Sequence, residues 1–275
     1  MMSDDTSSET TMIPTQANIL SFWDEQAEKY GEDPRANTPD RWIHHVELAA
    51  VARILRTLSS PSDILDIGCA NGYSTFLIHK AFPDHRITGI DLSEKMIGIA
   101  QKRLLREGLV ESSNLRFRVM DMLEMEDFAE AFDVAITIRG LINLPGTDSQ
   151  WKAIAQIAGC LRPGGRYIAV ENFRHAQENL NSLRRNIGLP ALPYRWHNCW
   201  LDENDFRKHC SEFFDLLEFL PITSTYYLIT RVVYSRLCQL EARDPDYDHP
   251  IYEIATKIPP LGDFGPVKLS YWKKR

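Results

Sequence analysis

Ile64 to Thr75, ILDIGCANGYST, holds an apolar run, an acid at its end and a turn of small residues. That is the form of a ligand loop at the carboxyl end of a buried parallel strand. A phosphate-binding turn would read G-x-G-x-x-G, but those positions are Gly68, Ala70 and Tyr73, so only the first glycine is present. Asp66 would also face a phosphate with like charge. A cationic or zwitterionic ligand fits better. Gly68, Ala70 and Gly72 let it approach the backbone, and Asp66 can attract an ammonium group directly or through water. A second short run, ITGIDLS, ends in Asp91, placed to accept both hydroxyls of a ribose. A ligand with an amino-acid end and a ribose end is S-adenosylmethionine.

At these residues the chain resembles the class I S-adenosylmethionine-dependent methyltransferases. The matches are DIGCANG at residues 66–72, GID at 89–91, MDM at 120–122 and LRPGGRYIAVE at 161–171. The likeness runs from Phe22 to Glu171 and includes the last strand. Ala70 departs from it, since many members carry glycine there. The resemblance implies an α/β fold: a Rossmann-like, seven-stranded, mostly parallel sheet with an antiparallel last strand and helices on both faces. It implies S-adenosylmethionine as cofactor, with S-adenosylhomocysteine as product. It assigns cofactor contacts to Asp66, Gly68, Cys69, Ala70, Gly72, Asp91, Leu92, Asp121, Met122 and Ile138, with Asp121 meeting the adenine amino group and Met122 backing its ring. In this fold the tip of the fourth strand faces the transferred methyl group. Arg139 stands there.

The secondary structure around these residues is set by periodicity and punctuation. Residues 1–15 read as a disordered polar tail, and 16–275 as one methyltransferase domain. Helices are expected over Ala17–Tyr30, from Asp40 to Leu58, over Tyr73–Ala81, Glu94–Glu107 and Gln150–Leu161, and from Asp202 to His209. Strands are expected over Leu115–Met120, Phe132–Ile138, Tyr167–Glu171, Phe213–Leu220 and Val267–Trp272, with LRPGG as a turn. Residues 172–201, rich in Asn, Arg and aromatics, read as a substrate lid, helical around Asn179–Asn186. Residues 222–265 read as a cap insertion, helical over Ser224–Leu240.

Methyl transfer requires the nucleophile, methyl carbon and sulfur to be held nearly in line, and a hydroxyl nucleophile also gains from a base. His197 in the lid is the first candidate base, Glu171 the second and His175 the third; Arg139 is also assigned to the catalytic set, expected beside Glu171 at the cleft, with a plain salt bridge between the two as the alternative. Substrate contacts are assigned to Tyr30, Arg174, Trp196, Asn198, Tyr226 and Arg231. His44 and His45 read as packing or surface residues, because adjacent helical positions point apart. No metal is expected: Arg139 replaces the acid that metal-dependent oxygen methyltransferases carry.

The arginines favour an anionic acceptor. A weaker likeness of TIRGLINL, WHN and STYYLITR to natural-product and sugar-modifying methyltransferases favours a hydroxyl on a small polar metabolite. The alternatives are a nitrogen or carboxylate acceptor, or a non-catalytic cofactor-binding partner.

The net charge of −7 argues against a nucleic-acid partner. Five scattered cysteines without C-x-x-C read as reduced thiols, and no run reaches the roughly 20 apolar residues of a membrane helix. The expectation is a cytoplasmic protein acting on a small molecule.

Overall fold

The computed structural model describes residues 14–58, 61–109 and 114–275. Residues 1–13 of the expected tail lie outside them. Seven strands form one sheet in the order β3-β2-β1-β4-β5-β7-β6. They are β1 (Asp63–Ile67), β2 (Arg86–Asp91), β3 (Leu115–Val119), β4 (Phe132–Ile138), β5 (Leu161–Asn172), β6 (Phe214–Leu220) and β7 (Val267–Lys274). Pairs among β1 to β5 are parallel, and β7 runs antiparallel to both β5 and β6. The strand order reverses at β1 and β4, so their carboxyl ends open a crevice for ligand.

The central strands are apolar because they are covered on both faces. On one face α2 (Arg41–Leu55), α3 (Tyr73–Ala81) and α4 (Glu94–Arg106) bury Ile43, Val51, Ile54, Phe76 and Ile97 against Ile64, Ile87 and Ile136. On the other, α5 (Thr147–Cys160) and α7 (Glu203–Cys210) bury Ile154, Ile157 and Phe206 against Leu65, Ala135 and Trp272. Two helix starts bear on the cleft. Thr15 and Asn18 form a reciprocal capping box for α1 (Gln16–Tyr30), and the Asp40 carboxylate accepts from Trp42 N to start α2.

Three stretches differ from the sequence expectation. LRPGG is the start of β5, its register slipping between Phe132 and Val134, because the flanking residues can still pair while the glycines turn. The 172–201 segment opens with α6 (Arg174–Asn186), longer than expected, and irregular chain continues to Leu201. The cap is helical, but Leu228–Tyr234 between α8 (Ser224–Tyr227) and α9 (Ser235–Leu240) is π-helical, and α10 (Pro250–Thr256) adds a helix that the sequence pattern does not announce. The cap packs into the same core as α2: Tyr226, Tyr234 and Tyr252 share a cluster with Ile43, Val51 and Ile54.

Candidate active site

A cavity of about 390 Å³ opens over the carboxyl ends of β1, β2 and β4. Asp66, Gly68, Cys69, Ala70, Asp91, Leu92, Asp121, Met122, Ile138 and Arg139 all line it. The β1 loop is held open by backbone bonds: Gly68 N and Cys69 N both donate to Ile90 O, at 2.8 and 2.9 Å. Ala70 sits at φ 48°, unusual for a residue with a Cβ, and its N–H donates to Asp91 Oδ2 at 2.9 Å. Asp91 Oδ1 accepts from Ser93 N. Gly72 does not line the cavity. It caps α3 at φ 74°, and a Cβ there would come within 2.9 Å of the Phe117 ring, so its smallness serves packing instead of the ligand.

The electrostatics of this half call for a cation and for hydroxyl or amine donors. Burial raises the Asp66 carboxyl to about 6, the Thr75 hydroxyl bond (2.6 Å) opposes the rise, and Asp91 adds to it. Burial also raises Asp91, against its backbone bonds to Ser93 and Ala70. Asp121 accepts from Leu123 N at 2.8 Å and from the Gln16 amide of α1 at 2.7 Å. Two desolvated carboxylates with free lone pairs, and a third at the rim, fit an ammonium, a ribose and an amine in that order along the sheet. The residues present fit S-adenosylmethionine.

The other half of the cavity departs from expectation. Arg139, at φ 55°, pairs with Glu47 of α2 at 2.8 Å and not with Glu171. Glu171 is fully buried outside the cavity lining, where its Oε1 accepts from Gly140 N (3.0 Å) and Leu141 N (3.1 Å). Burial raises it to about 7, and these bonds restrain the rise. Its Oε1 therefore braces the turn after β4. His175 is exposed outside the lining.

His197 lines the cavity, buried and stacked on Phe22 of α1 at 4.0 Å, with Trp23 at 5.5 Å. Among the described residues its Nδ1 has no hydrogen-bond partner; burial, then Arg195, lowers the ring to about 4, so it is neutral at pH 7. Asn198 lines the wall and donates to Asn143 Oδ1 (2.9 Å), whose amide donates to Arg139 O (2.7 Å). Arg231 also lines it, its guanidinium paired with Asp40 and surrounded by the Tyr227, Tyr247 and Tyr252 rings.

Four expected substrate contacts lie elsewhere. Tyr30 packs under Lys29 and Arg35, Arg174 is exposed and donates to Trp200 O, and Trp196 is 57% exposed outside the lining. Tyr226 is buried with its hydroxyl on both oxygens of Asp40. In their place the structure brings in His44, Asn143, Asn172, Gln177 and Tyr227. Of these, Asn172 and Gln177 fall within the expected lid, whereas His44, read from the sequence as a packing or surface residue, lines the cavity instead.

The fold and this cleft are similar to those of the class I S-adenosylmethionine-dependent methyltransferases. More narrowly, residues 64–165 match the family model described as a methyltransferase domain. The O-methyltransferase of Pyrenophora dematioidea is 33% identical over 142 residues, 50% of this chain and 49% of that protein, so the match spans about half of that relative. The demethylmenaquinone methyltransferase of Leptospira interrogans (serovar copenhageni) is 27% identical over 188 residues, 68% of each chain. The solved structure of geranyl diphosphate C-methyltransferase from Streptomyces coelicolor A3(2), with S-adenosyl-L-homocysteine bound, superposes with a TM-score of 0.60 at 14% identity, covering 95% of this chain and 99% of that one. Among the described residues no helix is long and apolar enough to cross a membrane.

Proposed function

We propose that the protein moves the methyl group of S-adenosylmethionine to a hydroxyl oxygen of a small, uncharged, polar acceptor such as a sugar or a hydroxylated natural product. The observation that carries this is the set of uncharged hydrogen-bonding groups in the acceptor half: Asn143, Asn172, Gln177, His197 and Asn198 line it, with Asn172 Oδ1 and His197 Nδ1 buried and unpartnered. Unpartnered groups of this kind ask for a ligand that both donates and accepts. Of the three arginines lining the cavity, Arg139 is occupied by Glu47 and Arg231 by Asp40, and Arg195 stands exposed at the rim.

When bound, S-adenosylmethionine supplies an electrophilic methyl carbon. The chain supplies position and dryness: Asp66 and Asp91 hold the cofactor half, the Arg139–Asn143–Asn198 chain fixes the acceptor wall, and Phe22 and Trp23 keep water from His197. Calorimetric titration of S-adenosylmethionine into the wild type and Asp91→Ala tests the cofactor half, with micromolar affinity expected in the first and loss of roughly 100-fold in the second. Turnover is then measured on hydroxyl, amine and carboxylate probes. Transfer to amines or carboxylates alone replaces the hydroxyl reading, and cofactor binding without any transfer makes the chain a binding partner.

A further inference from the structure

A hydroxyl acceptor gives up a proton, and His197 is poorly placed to keep it. Among the described residues no carboxylate acts on its ring, and the charge that does is Arg195. His44 is placed differently. On α2, positions 44 and 47 share a face. His44 is 2% exposed and Glu47 fully buried, with 3.5 Å between His44 Nδ1 and Glu47 Oε2. Among the described residues both ring nitrogens lack a hydrogen-bond partner, although the residue lines the cavity. A 3.5 Å separation is long, as catalytic contacts often are before a ligand draws them together.

We propose that His44 takes the acceptor's proton and that Glu47 positions its ring and stabilises the imidazolium. The proposal rests on the hydroxyl reading above. As the acceptor oxygen bonds to the methyl carbon, the O–H electron pair stays on oxygen and the proton passes to Nε2 of His44. The C–S electron pair returns to sulfur, which leaves as a neutral thioether. The site lies beside Arg139, at the strand tip that faces the methyl group in this fold, and Arg139 has a left-handed φ of 55°. Strained backbone of that kind gathers at working sites. His197 then orients the acceptor from the opposite wall, joined to the same tip through Asn198 and Asn143.

The charged and titratable groups around His44 are few. Glu47 and His45 lie on its own helix, Tyr73 of α3 is 5.4 Å away ring to ring, and Arg139 reaches in from β4 to Glu47. Tyr227 of the cap feels both Arg139 and Glu47, and Glu253 of α10 acts on His45. Burial pushes Glu47 up, but Arg139 and then His44 outweigh it and keep the carboxyl below its ordinary value, so it is an anion at working pH.

The test uses the full chain, S-adenosylmethionine, and glucose, myo-inositol and catechol as hydroxylated probes, with glycine and acetate as the other acceptor types. His44→Asn is expected to lower kcat on the hydroxylated probe by about 100-fold or more while cofactor affinity stays within about twofold. Glu47→Asp keeps a charge for Arg139 but draws the carboxylate back from the ring. It is expected to move the acid limb of the kcat profile to lower pH, a change that loss of packing alone does not produce. His197→Asn is expected to raise KM more than it lowers kcat. If a hydroxylated probe turns over and His44→Asn keeps kcat within about threefold of wild type, the assignment to His44 is overturned and the hydroxyl reading stands. If no hydroxylated probe turns over, both fall.

Discussion

Asp66 shows how one side chain links cofactor to pH. Its folded value near 6 lies above the ordinary 3.8, so the folded protein holds this proton more tightly than the unfolded chain does. The empty protein therefore loses this contribution to stability as pH climbs from about 4 to about 6. A cation bound beside the carboxylate reverses the penalty, so cofactor affinity should rise over the same interval and binding should release a proton. Titrations at about pH 5.5 in two buffers of different ionisation enthalpy measure that release, and Asp66→Asn should abolish it. Asp66 and Asp91 were legible in the sequence because an acid ending an apolar run has few structural reasons to be there. The partner of Arg139 was not, since Glu47 lies 92 positions earlier and reads as one more helix residue. Glu171 misled because sequence shows which strand a carboxylate is on but not that two backbone N–H groups have claimed it.

Among the elements, the α3 start bears on stability and the π-helical run on the acceptor wall. Gly72→Ala should destabilise the fold by about 1–3 kcal/mol, since the new Cβ meets Phe117 and the φ is left-handed. The urea midpoint measures it, and cofactor affinity in the folded fraction should change little. In the cap, the wide turn Leu228–Tyr234 carries Arg231 to Asp40. Deleting Ile229 tightens the wide turn to an α-helical one and moves Arg231 within it, which disturbs that pairing, so acceptor turnover should fall while cofactor binding persists. Helices α2, α4 and α7 were readable because their hydrophobic periods are clean and their caps are Asp40, Ser93 and Asp202. The π turn was not, since LITRVVY is rich in β-branched residues and one extra residue per turn leaves no compositional trace. LRPGG likewise carries the punctuation of a turn whether or not its ends pair.

Across the whole molecule, α1 joins the two halves of the cavity. Gln16 binds Asp121, Asp24 accepts from Ser93, Asn71 donates to Gly31 O and Asp33 O, and Phe22 stacks on His197. S-adenosylhomocysteine should therefore slow amide exchange both in residues 16–30 and around 195–200, although only the first set borders the adenine end. Exchange mass spectrometry of the full chain with and without the product checks this. The fold class was legible from four short motifs, but that the cap packs on α2 was not, because it depends on contacts almost the length of the chain. Asp40 is where those contacts converge: it starts α2, accepts from Tyr226 186 positions later and pairs with Arg231 191 positions later. The cofactor half comes mainly from neighbouring β-α units and closes shorter loops, such as β1 on β4 and Gln16 on Asp121. The acceptor wall waits for one very long loop to close, at an entropic cost met only after the local units exist. In time, then, the molecule assembles in the order of its two ligands: a refolding chain regains its hold on S-adenosylmethionine before it has a surface on which to receive an acceptor.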